Sequence, residues 1–347
     1  MLNFKQPGGT SRGVLTHKDS WFIFVCDDTH PKTIGIGESG LLKGLSMDDH
    51  TGYEAKISEV CNNIQSHKDY LTSELLDFPS IRFGLEMALM DLGVVGETGN
   101  PGKRLLFPSG FTCGDDSIPI NGLVWMGTFD FMKKQIHEKI ESGFNCIKLK
   151  IGAIDFNKEI ELIKSIRKEF SVSDMEIRVD ANGAFSSDEA LDKLKQLSDL
   201  DLHSIEQPVR QGQWETMAKL CEKTPLPIAL DEELIGINRI DKKAKLLEII
   251  KPQYIILKPS LIGGFKASEE WIELAGKNNV GWWITSALES NIGLNAIAQW
   301  TYTLNNPMPQ GLGTGQLYAN NFDSPLEIDK GKLYFNPSNN WHLQDFI

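Results

Sequence analysis

The stretch "FNCIKLKIGA", residues 144–153, decides how this chain is interpreted. Its alternation of apolar and polar residues predicts a buried β-strand. Side chains two positions apart share one face of a strand, so Lys148 and Lys150 point to the same side, away from their isoleucine and leucine neighbours. Two ammonium groups side by side in a protein interior are costly unless other groups compensate their charge. The rest of the sequence must therefore supply groups that face these two lysines.

Length and charge limit the classes of protein that fit. The 347 residues are too many for one small core, and they predict two domains or one large barrel with an appendage. A formal net charge of −12 argues against binding to nucleic acid or to an anionic membrane, because both need a basic surface. No apolar run approaches the roughly 20 residues that span a bilayer, so we expect no membrane segment. The oligomeric state stays open.

The cysteines and the first residues favour a cytoplasmic protein. The stretch "MLNFKQPGGTSRG" at the start lacks the apolar core of a signal peptide. The cysteines are odd in number and scattered, without a CxxC pair, and we interpret them as reduced thiols and not as a disulfide set or a zinc site. They are Cys26, Cys61, Cys113, Cys146 and Cys221.

The pattern of elements changes along the chain. Residues 1–116 predict an α+β domain, and the Gly- and Pro-rich stretch 95–116 marks its expected boundary. In residues 117–321, short apolar strands alternate with amphipathic helices, and eight strand candidates predict an α/β fold, a (β/α)₈ barrel. A doubly wound open sheet is the alternative, but no GxGxxG motif follows an early strand. The strand-like residues 322–347 are predicted to return to the N-terminal domain.

Polar residues recur near the ends of the predicted barrel strands. Asp180, Glu206, Asp231 and Lys258 follow one another at intervals of 26, 25 and 27 residues, about one βα unit each. We therefore expect them at similar depths on neighbouring strands, where the catalytic groups of barrels gather. Three carboxylates together suit a hard divalent cation, Mg²⁺ first and Mn²⁺ second. A zinc site is disfavoured because the sequence has no HxH or HExxH motif.

These carboxylates and their metal are the groups expected to face the lysines. Lys148 and Lys150 on the second strand and Lys258 on the sixth would flank a metal held by strands three to five. A small-molecule carboxylate bound to that metal would have acidified α-protons, and the ion would stabilise the enolate that forms when one is removed. A lysine is a suitable base where neighbouring cations lower its pKa.

Two further polar residues are expected to support the carboxylates. Asn182 shares a strand face with Asp180, which predicts a supporting hydrogen bond. Glu232 follows Asp231, and strand parity points it away from the site, so we expect a structural or supporting role. A single acid at a strand end is usually a helix cap, and a single lysine there is usually exposed. Three acids and three lysines, spaced by about one βα unit, are harder to explain as helix caps and exposed residues.

Together these motifs resemble the enolase superfamily, in its muconate-lactonizing-enzyme subgroup. The stretch "ITSALES" (284–290) lacks the histidine base that the mandelate-racemase subgroup carries there. The resemblance implies an enolase-like fold: an N-terminal α+β capping domain, 1–116, and a modified (β/α)₇β TIM barrel, 117–321. The motifs are "KLK" (148–150), "VDAN" (179–182), "IEQP" (205–208), "LDEEL" (230–234) and "LKPS" (257–260).

Within that subgroup the chain is most similar to the o-succinylbenzoate synthase family. The similar stretches are "PSIRFGLEMALMDL" (79–92), "TSALESNIGL" (285–294) and "GLGTGQLY" (311–318). The resemblance implies a hydro-lyase of menaquinone biosynthesis. Its reaction would be the Mg²⁺-dependent syn dehydration of 2-succinyl-6-hydroxy-2,4-cyclohexadiene-1-carboxylate to o-succinylbenzoate.

The resemblance also implies roles for single residues. Lys150 would take the α-proton and return it to the leaving hydroxide, Lys258 would stabilise the enolate by its charge, and Lys148 would tune Lys150 electrostatically. Ser286 and the backbone near Gly313 would contact the succinyl tail, under a lid supplied by the capping domain. The metal ligands would be Asp180, Glu206 and Asp231.

Other activities remain open. N-acylamino-acid racemases and muconate cycloisomerases share the same machinery, with two lysines as bases in a racemase. A class I aldolase that uses Lys258 for a Schiff base is a rival of different chemistry, but it leaves the three carboxylates unexplained. A non-catalytic binding barrel leaves both the acids and the lysines unexplained.

Overall fold

The computed structural model describes residues 1–10, 13–98 and 103–343. Part of the predicted boundary stretch, residues 99–102, and the end of the predicted C-terminal return, residues 344–347, lie outside the described residues. The chain forms an N-terminal cap of antiparallel strands and helices, followed by a barrel of parallel strands.

Fourteen strands lie within the described ranges. They are β1 (Leu2–Thr10), β2 (Gly13–Lys18), β3 (Ser20–Asp27), β4 (His30–Gly40), β5 (Ser117–Pro119), β6 (Gly122–Val124), β7 (Cys146–Lys150), β8 (Glu176–Asp180), β9 (Ser204–Glu206), β10 (Ile228–Leu230), β11 (Tyr254–Leu257), β12 (Gly281–Ile284), β13 (Leu326–Asp329) and β14 (Lys332–Phe335).

Twelve α-helical segments accompany these strands in the same ranges. They are α1 (Tyr53–Asn62), α2 (His67–Asp69), α3 (Pro79–Thr98), α4 (Gly110–Cys113), α5 (Phe129–Glu141), α6 (Phe156–Glu169), α7 (Ala190–Ser198), α8 (Trp214–Lys223), α9 (Ile240–Ile250), α10 (Pro259–Ile262), α11 (Gly264–Lys277) and α12 (Asn291–Thr303). Short 3₁₀ or π turns cover Ile64–Ser66, Tyr70–Glu74, Glu232–Leu234 and Gly313–Gln316.

The cap is built on the β3–β4 hairpin and helix α3. The two strands pair antiparallel, and α3 lies against β4. One face of this helix is apolar and buried: Ile81, Leu85 and Ala88 are fully enclosed in a core shared with Ile23 and Val25. Burial of these apolar side chains holds the helix on the hairpin.

The barrel wall consists of seven parallel strands, β6 to β12, in sequential order. The gap between β12 and the start of the barrel is closed by a short segment at Gln310–Gly311. Gln310 forms a parallel bridge with Ile120, and Gly311 forms one with Thr285. The α/β barrel predicted from eight strand candidates is thereby confirmed, with its eighth member reduced to this bridging segment.

The C-terminal strands attach to the first residues of the barrel. β13 and β14 form a hairpin, and β14 pairs antiparallel with β5. Phe322, just before this hairpin, meets Phe22 of the cap edge-to-face, with ring centroids 5.3 Å apart. Residues 322–343 thus contact both parts of the chain, and the exact domain limits of 1–116, 117–321 and 322–347 stay a prediction.

Two smaller observations concern the whole chain. All five cysteines lie within the described residues, and none is bonded to another. Among the helices of the described ranges, none combines the length and apolarity that a membrane crossing requires.

Candidate active site

Strand register brings the predicted lysines and carboxylates to one end of the barrel. Lys150 on β7 pairs with Asp180 on β8, and Asp180 pairs with Glu206 on β9, so these three residues lie at one level. Asp231 directly follows β10, and Lys258 directly follows β11. These positions are the carboxyl ends of five consecutive strands.

Each lysine is bonded to at least one of the carboxylates. The Lys150 Nζ donates to Asp180 Oδ2 at 2.9 Å and to Asn182 Oδ1 at 2.7 Å. The Lys148 Nζ lies 3.1 Å from Asp180 Oδ2 and also donates to Glu206 Oε2. Lys258 donates to Oδ2 of Asp231, the third carboxylate of the cluster. The positive charges of the three lysines are therefore balanced by three carboxylates.

These contacts shift the pKa of Lys148 and the pKa of Lys258 upward. Burial alone would lower the pKa of Lys148, but the carboxylates of Asp180 and Glu206 outweigh it and raise that pKa. In the same way, burial opposes the charge of Lys258, but Asp231 and Glu206 raise its pKa above the usual value. Both groups are held as cations by the acids beside them.

The pKa values of the three carboxyl groups shift in different directions. Burial would raise the pKa of Asp180, but Lys148 and Lys150 lower it below its usual range. Lys258 does the same for the pKa of Asp231, against the effect of burial. Burial and the charge of Asp180 raise the pKa of Glu206 well above its usual value. Glu206 is therefore the least acidic member of the cluster.

The donor set fits a hard divalent cation. Asp180, Glu206 and Asp231 are almost completely buried, and Glu206 Oε1 has no hydrogen-bond partner. A buried carboxylate oxygen without a partner is costly, and a cation would compensate it. With the lysines bonded to the carboxylates, no group of three His, Cys, Asp or Glu side chains in the described ranges is spaced to hold a metal ion. Binding would therefore need the ammonium groups to move off the oxygens.

Asn182 and Glu232 extend the cluster on one side. The Asn182 backbone N–H donates to Asp180 Oδ1 at 2.9 Å, and its Nδ2 donates to Glu232 Oε1 at 3.0 Å. Glu232 therefore does not point away as strand parity predicted. The reason is that β10 ends at Leu230 and Glu232 begins a 3₁₀ turn, in which the alternation of a strand no longer holds.

A cavity of about 620 Å³ includes the space beside the lysines and extends to Phe144, Asp329 and Lys330. Lys148, Lys150, Asn182 and Lys258 line its barrel side. The cap contributes several lining residues, which are Lys5, Gln6, Pro7, Leu15, Leu42 and Leu45. A site covered in this way by a second part of the chain excludes much of the solvent from the lysines.

Ser286 and Gly313 both line this cavity, and their contacts to the substrate tail stay a prediction. The Ser286 hydroxyl donates to Glu289 Oε2 and accepts from the Thr314 hydroxyl at 2.8 Å. Its proton is thus committed to Glu289, and the hydroxyl is oriented by its neighbours. Gly313 begins a 3₁₀ turn whose backbone faces the cavity.

Sequence reasoning missed two residues at this site. Trp125 lines the cavity, and its ring centroid is 6.0 Å from the Lys150 Nζ. Glu289 is buried and accepts from both Ser260 and Ser286, which ties the ends of two neighbouring strands together. Strand parity could have indicated Trp125, because it follows the first barrel strand at the level of Lys150.

Comparisons with known proteins agree with this geometry. The family model described as "Enolase C-terminal domain-like" matches residues 132–338. The chain belongs to the enolase superfamily. The resemblance seen in the "KLK", "VDAN", "IEQP", "LDEEL" and "LKPS" motifs is thereby confirmed, and so is the predicted fold class.

Individual relatives show which members of the superfamily this chain is similar to. The o-succinylbenzoate synthase of Desulfotalea psychrophila is 48% identical, over 96% of this chain and 96% of its own length. The crystal structure of MenC from the same organism superimposes with a TM-score of 0.80 at 43% identity, covering 96% of this chain and 99% of that one. The L-Ala-D/L-Glu epimerase of Bacillus subtilis gives the same TM-score at 20% identity, over 99% of this chain and 95% of its own, and shows the shared fold alone. The predicted similarity to the o-succinylbenzoate synthase family is confirmed.

Proposed function

We propose that this protein is a hydro-lyase that converts 2-succinyl-6-hydroxy-2,4-cyclohexadiene-1-carboxylate to o-succinylbenzoate. The observation that carries the proposal is the placement of Lys150 and Lys258 in one cavity, each bonded to a carboxylate of the same buried cluster. The near full-length similarity to an o-succinylbenzoate synthase supports the choice of substrate.

Asp180, Glu206 and Asp231 are proposed to hold Mg²⁺, with Mn²⁺ as an alternative. When bound, the ion supplies a positive charge that stabilises the enolate form of the substrate carboxylate. The support for this assignment is the all-oxygen donor set and the buried, unpartnered Glu206 Oε1. Asn182 and Glu232 keep Asp180 oriented by the hydrogen bonds described above.

Lys150 is proposed to carry the proton. In its neutral form, its Nζ takes the α-proton from the carbon beside the substrate carboxylate, and the electron pair of that C–H bond moves into the enolate. The C–O bond to the ring hydroxyl then breaks, and the Lys150 ammonium group returns the proton, so that water leaves from the same face. No oxidant or reductant is needed.

Lys258 and Lys148 are proposed to act by charge. Lys258 lines the cavity as a cation and lowers the energy of the negative charge that develops on the substrate. Lys148 lies between Asp180 and Glu206, where its positive charge holds the two carboxylates together and acts on the nearby Lys150. Ser286 and the Gly313 backbone are proposed contacts of the succinyl tail.

N-acylamino-acid racemisation is the second candidate. The observation that favours it is that Lys150 and Lys258 project from different strands into the same cavity, as a two-base reaction requires. Incubation of the protein and Mg²⁺ with the diene carboxylate, and separately with N-succinylamino acids, separates the two. Appearance of o-succinylbenzoate supports dehydration, and racemisation without any turnover of the diene carboxylate overturns the proposal.

The remaining assignments are also proposals. The cap of residues 1–116 with 322–347 would cover the barrel of residues 117–321 and close over a small-molecule carboxylate. A cytoplasmic location and a place in menaquinone biosynthesis agree with the scattered thiols and with the relative's name.

A further inference from the structure

Trp125 lies immediately beyond the first barrel strand, level with the proposed base. β6 pairs with β7 so that Leu123 lies opposite Lys148 and Val124 opposite Leu149. Continued by one residue, the same register places Trp125 beside Lys150. The 6.0 Å between the Lys150 Nζ and the indole centroid agrees with this register, and both side chains line the cavity. An indole ring is therefore adjacent to the place where the substrate must react.

A single side chain fixes Trp125 in this position. The Trp125 backbone N–H donates to Gln135 Oε1 at 3.0 Å, and Gln135 Nε2 donates to the Trp125 carbonyl at 3.0 Å. Gln135 lies on α5, so the backbone of Trp125 is tied to the first barrel helix by two hydrogen bonds. Such a double contact sets the direction in which the indole leaves the backbone, before any ligand binds.

The cap strand β1 closes against the other side of Trp125. The backbone N–H of Met126 donates to the Gly9 carbonyl at 3.2 Å. A Cβ atom placed on Gly8 would lie 3.1 to 3.3 Å from three atoms of the indole ring, so a larger residue there would need the ring or β1 to shift by a few tenths of an ångström. The ring is thus held between the cap and the cavity.

Trp125 also belongs to an apolar group that includes both parts of the chain. Leu15 and Leu42 from the cap, and Leu288 and Leu317 from barrel loops, pack in the same cluster and also line the cavity. The cavity therefore has an apolar wall as well as the Lys148, Lys150 and Lys258 side chains. A flat, largely apolar ring that carries carboxylates fits both surfaces at once.

We propose that Trp125 is a specificity-determining residue, whose indole contacts the six-membered ring of the substrate and favours it over open-chain N-acylamino acids. The proposal rests on the proposed function. Its physical basis is that the conjugated diene ring, which becomes a flat aromatic ring as water leaves, buries area against the indole at low entropic cost, whereas a branched aliphatic side chain gains less from an indole face.

Fluorescence of the ligand complex tests the contact directly. The magnesium-loaded protein is titrated with o-succinylbenzoate while tryptophan emission is recorded for the wild type, Trp125→Phe and Trp282→Phe. Trp282 is the matched control, because it lies on β12 and is not among the residues that line the cavity. We expect quenching in the wild type and in Trp282→Phe, and its loss in Trp125→Phe. Equal quenching in all three proteins overturns the proposal.

Kinetics test the specificity. We expect Trp125→Leu to raise KM and lower kcat/KM for the diene carboxylate about tenfold, with Trp125→Phe much closer to the wild type. The inhibition constant of N-succinylvaline should change less than about threefold. An aliphatic side chain gains little affinity from contact with the indole, so little affinity is lost when the indole is removed. Parallel losses for both compounds overturn the proposal. Thermal unfolding of each variant checks its folding, and if Trp125→Leu does not fold, the loss of quenching in Trp125→Phe tests the contact.

The two proposals fail in distinguishable ways. If the wild type does not turn over the diene carboxylate, the proposed function fails, while the product titration still reports the ring contact. If the wild type turns it over and Trp125→Leu matches Trp282→Phe in every measurement, the dehydration stands and the role of Trp125 is wrong.

Discussion

The Lys150 Nζ lies 2.9 Å from Asp180 Oδ2, so the proposed base is ion-paired with a proposed metal ligand. The two residues sit opposite each other in the register of β7 and β8, both at the carboxyl ends of their strands. A metal ion would take the place of the ammonium group on Asp180, and the lysine would become available to the substrate.

This relationship predicts that Mg²⁺ stabilises the folded protein. The ion would replace an ammonium group on buried oxygens and give Glu206 Oε1 a partner. At a free concentration 100-fold above its Kd, the stabilisation is about 2.7 kcal/mol. Urea unfolding with and without Mg²⁺, after treatment with EDTA, measures it. Glu206→Gln should lose most of the effect, and an unchanged response in that variant would contradict the assignment of Glu206.

Lys150→Met should abolish dehydration without unfolding the protein. A positioned general base contributes roughly 10²- to 10⁴-fold to a proton transfer, so kcat should fall within or beyond that range. Formation of o-succinylbenzoate over time measures the loss. Lys158→Met is the matched control, since Lys158 is exposed on α6 and should keep full activity. A Lys150→Met protein that retains a tenth of the activity would rule out this residue as the base.

Glu38→Gln should loosen the attachment of the cap to the barrel. Glu38 is fully buried in the cap, and its carboxylate accepts from the backbone N–H groups of Ser290 and Gly293 and from the Ser290 hydroxyl. These donors lie at the start of α12, where a negative charge is favourable. We expect a loss of about 2 kcal/mol in the free energy of unfolding.

Urea titration of Glu38→Gln beside Glu54→Gln, an exposed residue on α1, checks this expectation. Because Ser290 adjoins the loop that carries Ser286, the KM of Glu38→Gln should also rise. Equal stability and equal KM in the two variants would show that Glu38 does not hold the two parts together.

Asp91→Asn should destabilise the fold strongly. Asp91 on α3 forms an ion pair with Arg104 and accepts from the Ile36 backbone N–H at 2.9 Å, and both charged side chains are buried. Removing one charge leaves the Arg104 guanidinium buried without its counter-ion, which costs about 3 to 5 kcal/mol.

Thermal or urea unfolding of Asp91→Asn measures this loss. Asp192→Asn is the control, because Asp192 pairs with Lys195 in full exposure to solvent and should change stability by less than about 0.5 kcal/mol. A similar small change in both variants would mean that the buried pair contributes little to the fold.

The amino-acid sequence determined the chemistry of the site to a large extent. Lys148 and Lys150 share a strand face by parity alone, and the spacing of Asp180, Glu206 and Asp231 follows from the length of a βα unit. Both are local regularities, set by the two-residue repeat of a strand and the size of its crossover helix. The barrel follows from the same regularities, whereas the superfamily was identified from the resemblance of the quoted motifs.

Only the tertiary structure decided how these groups meet. The segment at Gln310–Gly311 closes the barrel through single bridges to Ile120 and Thr285, distant parts of the chain that no local pattern connects. Glu232 faces Asn182 because the strand ends one residue before Asp231 and a turn begins, and a residue pattern does not fix that end. The cap strand β1 packs beside Trp125, with Gly8 against the indole ring and the Gly9 carbonyl accepting from the Met126 N–H. The contacts of Ile120 with Gln310 and of Gly8 with Trp125 join residues more than a hundred positions apart, and the Glu232 contact depends on where an element stops, so their geometry is set by packing of the whole chain.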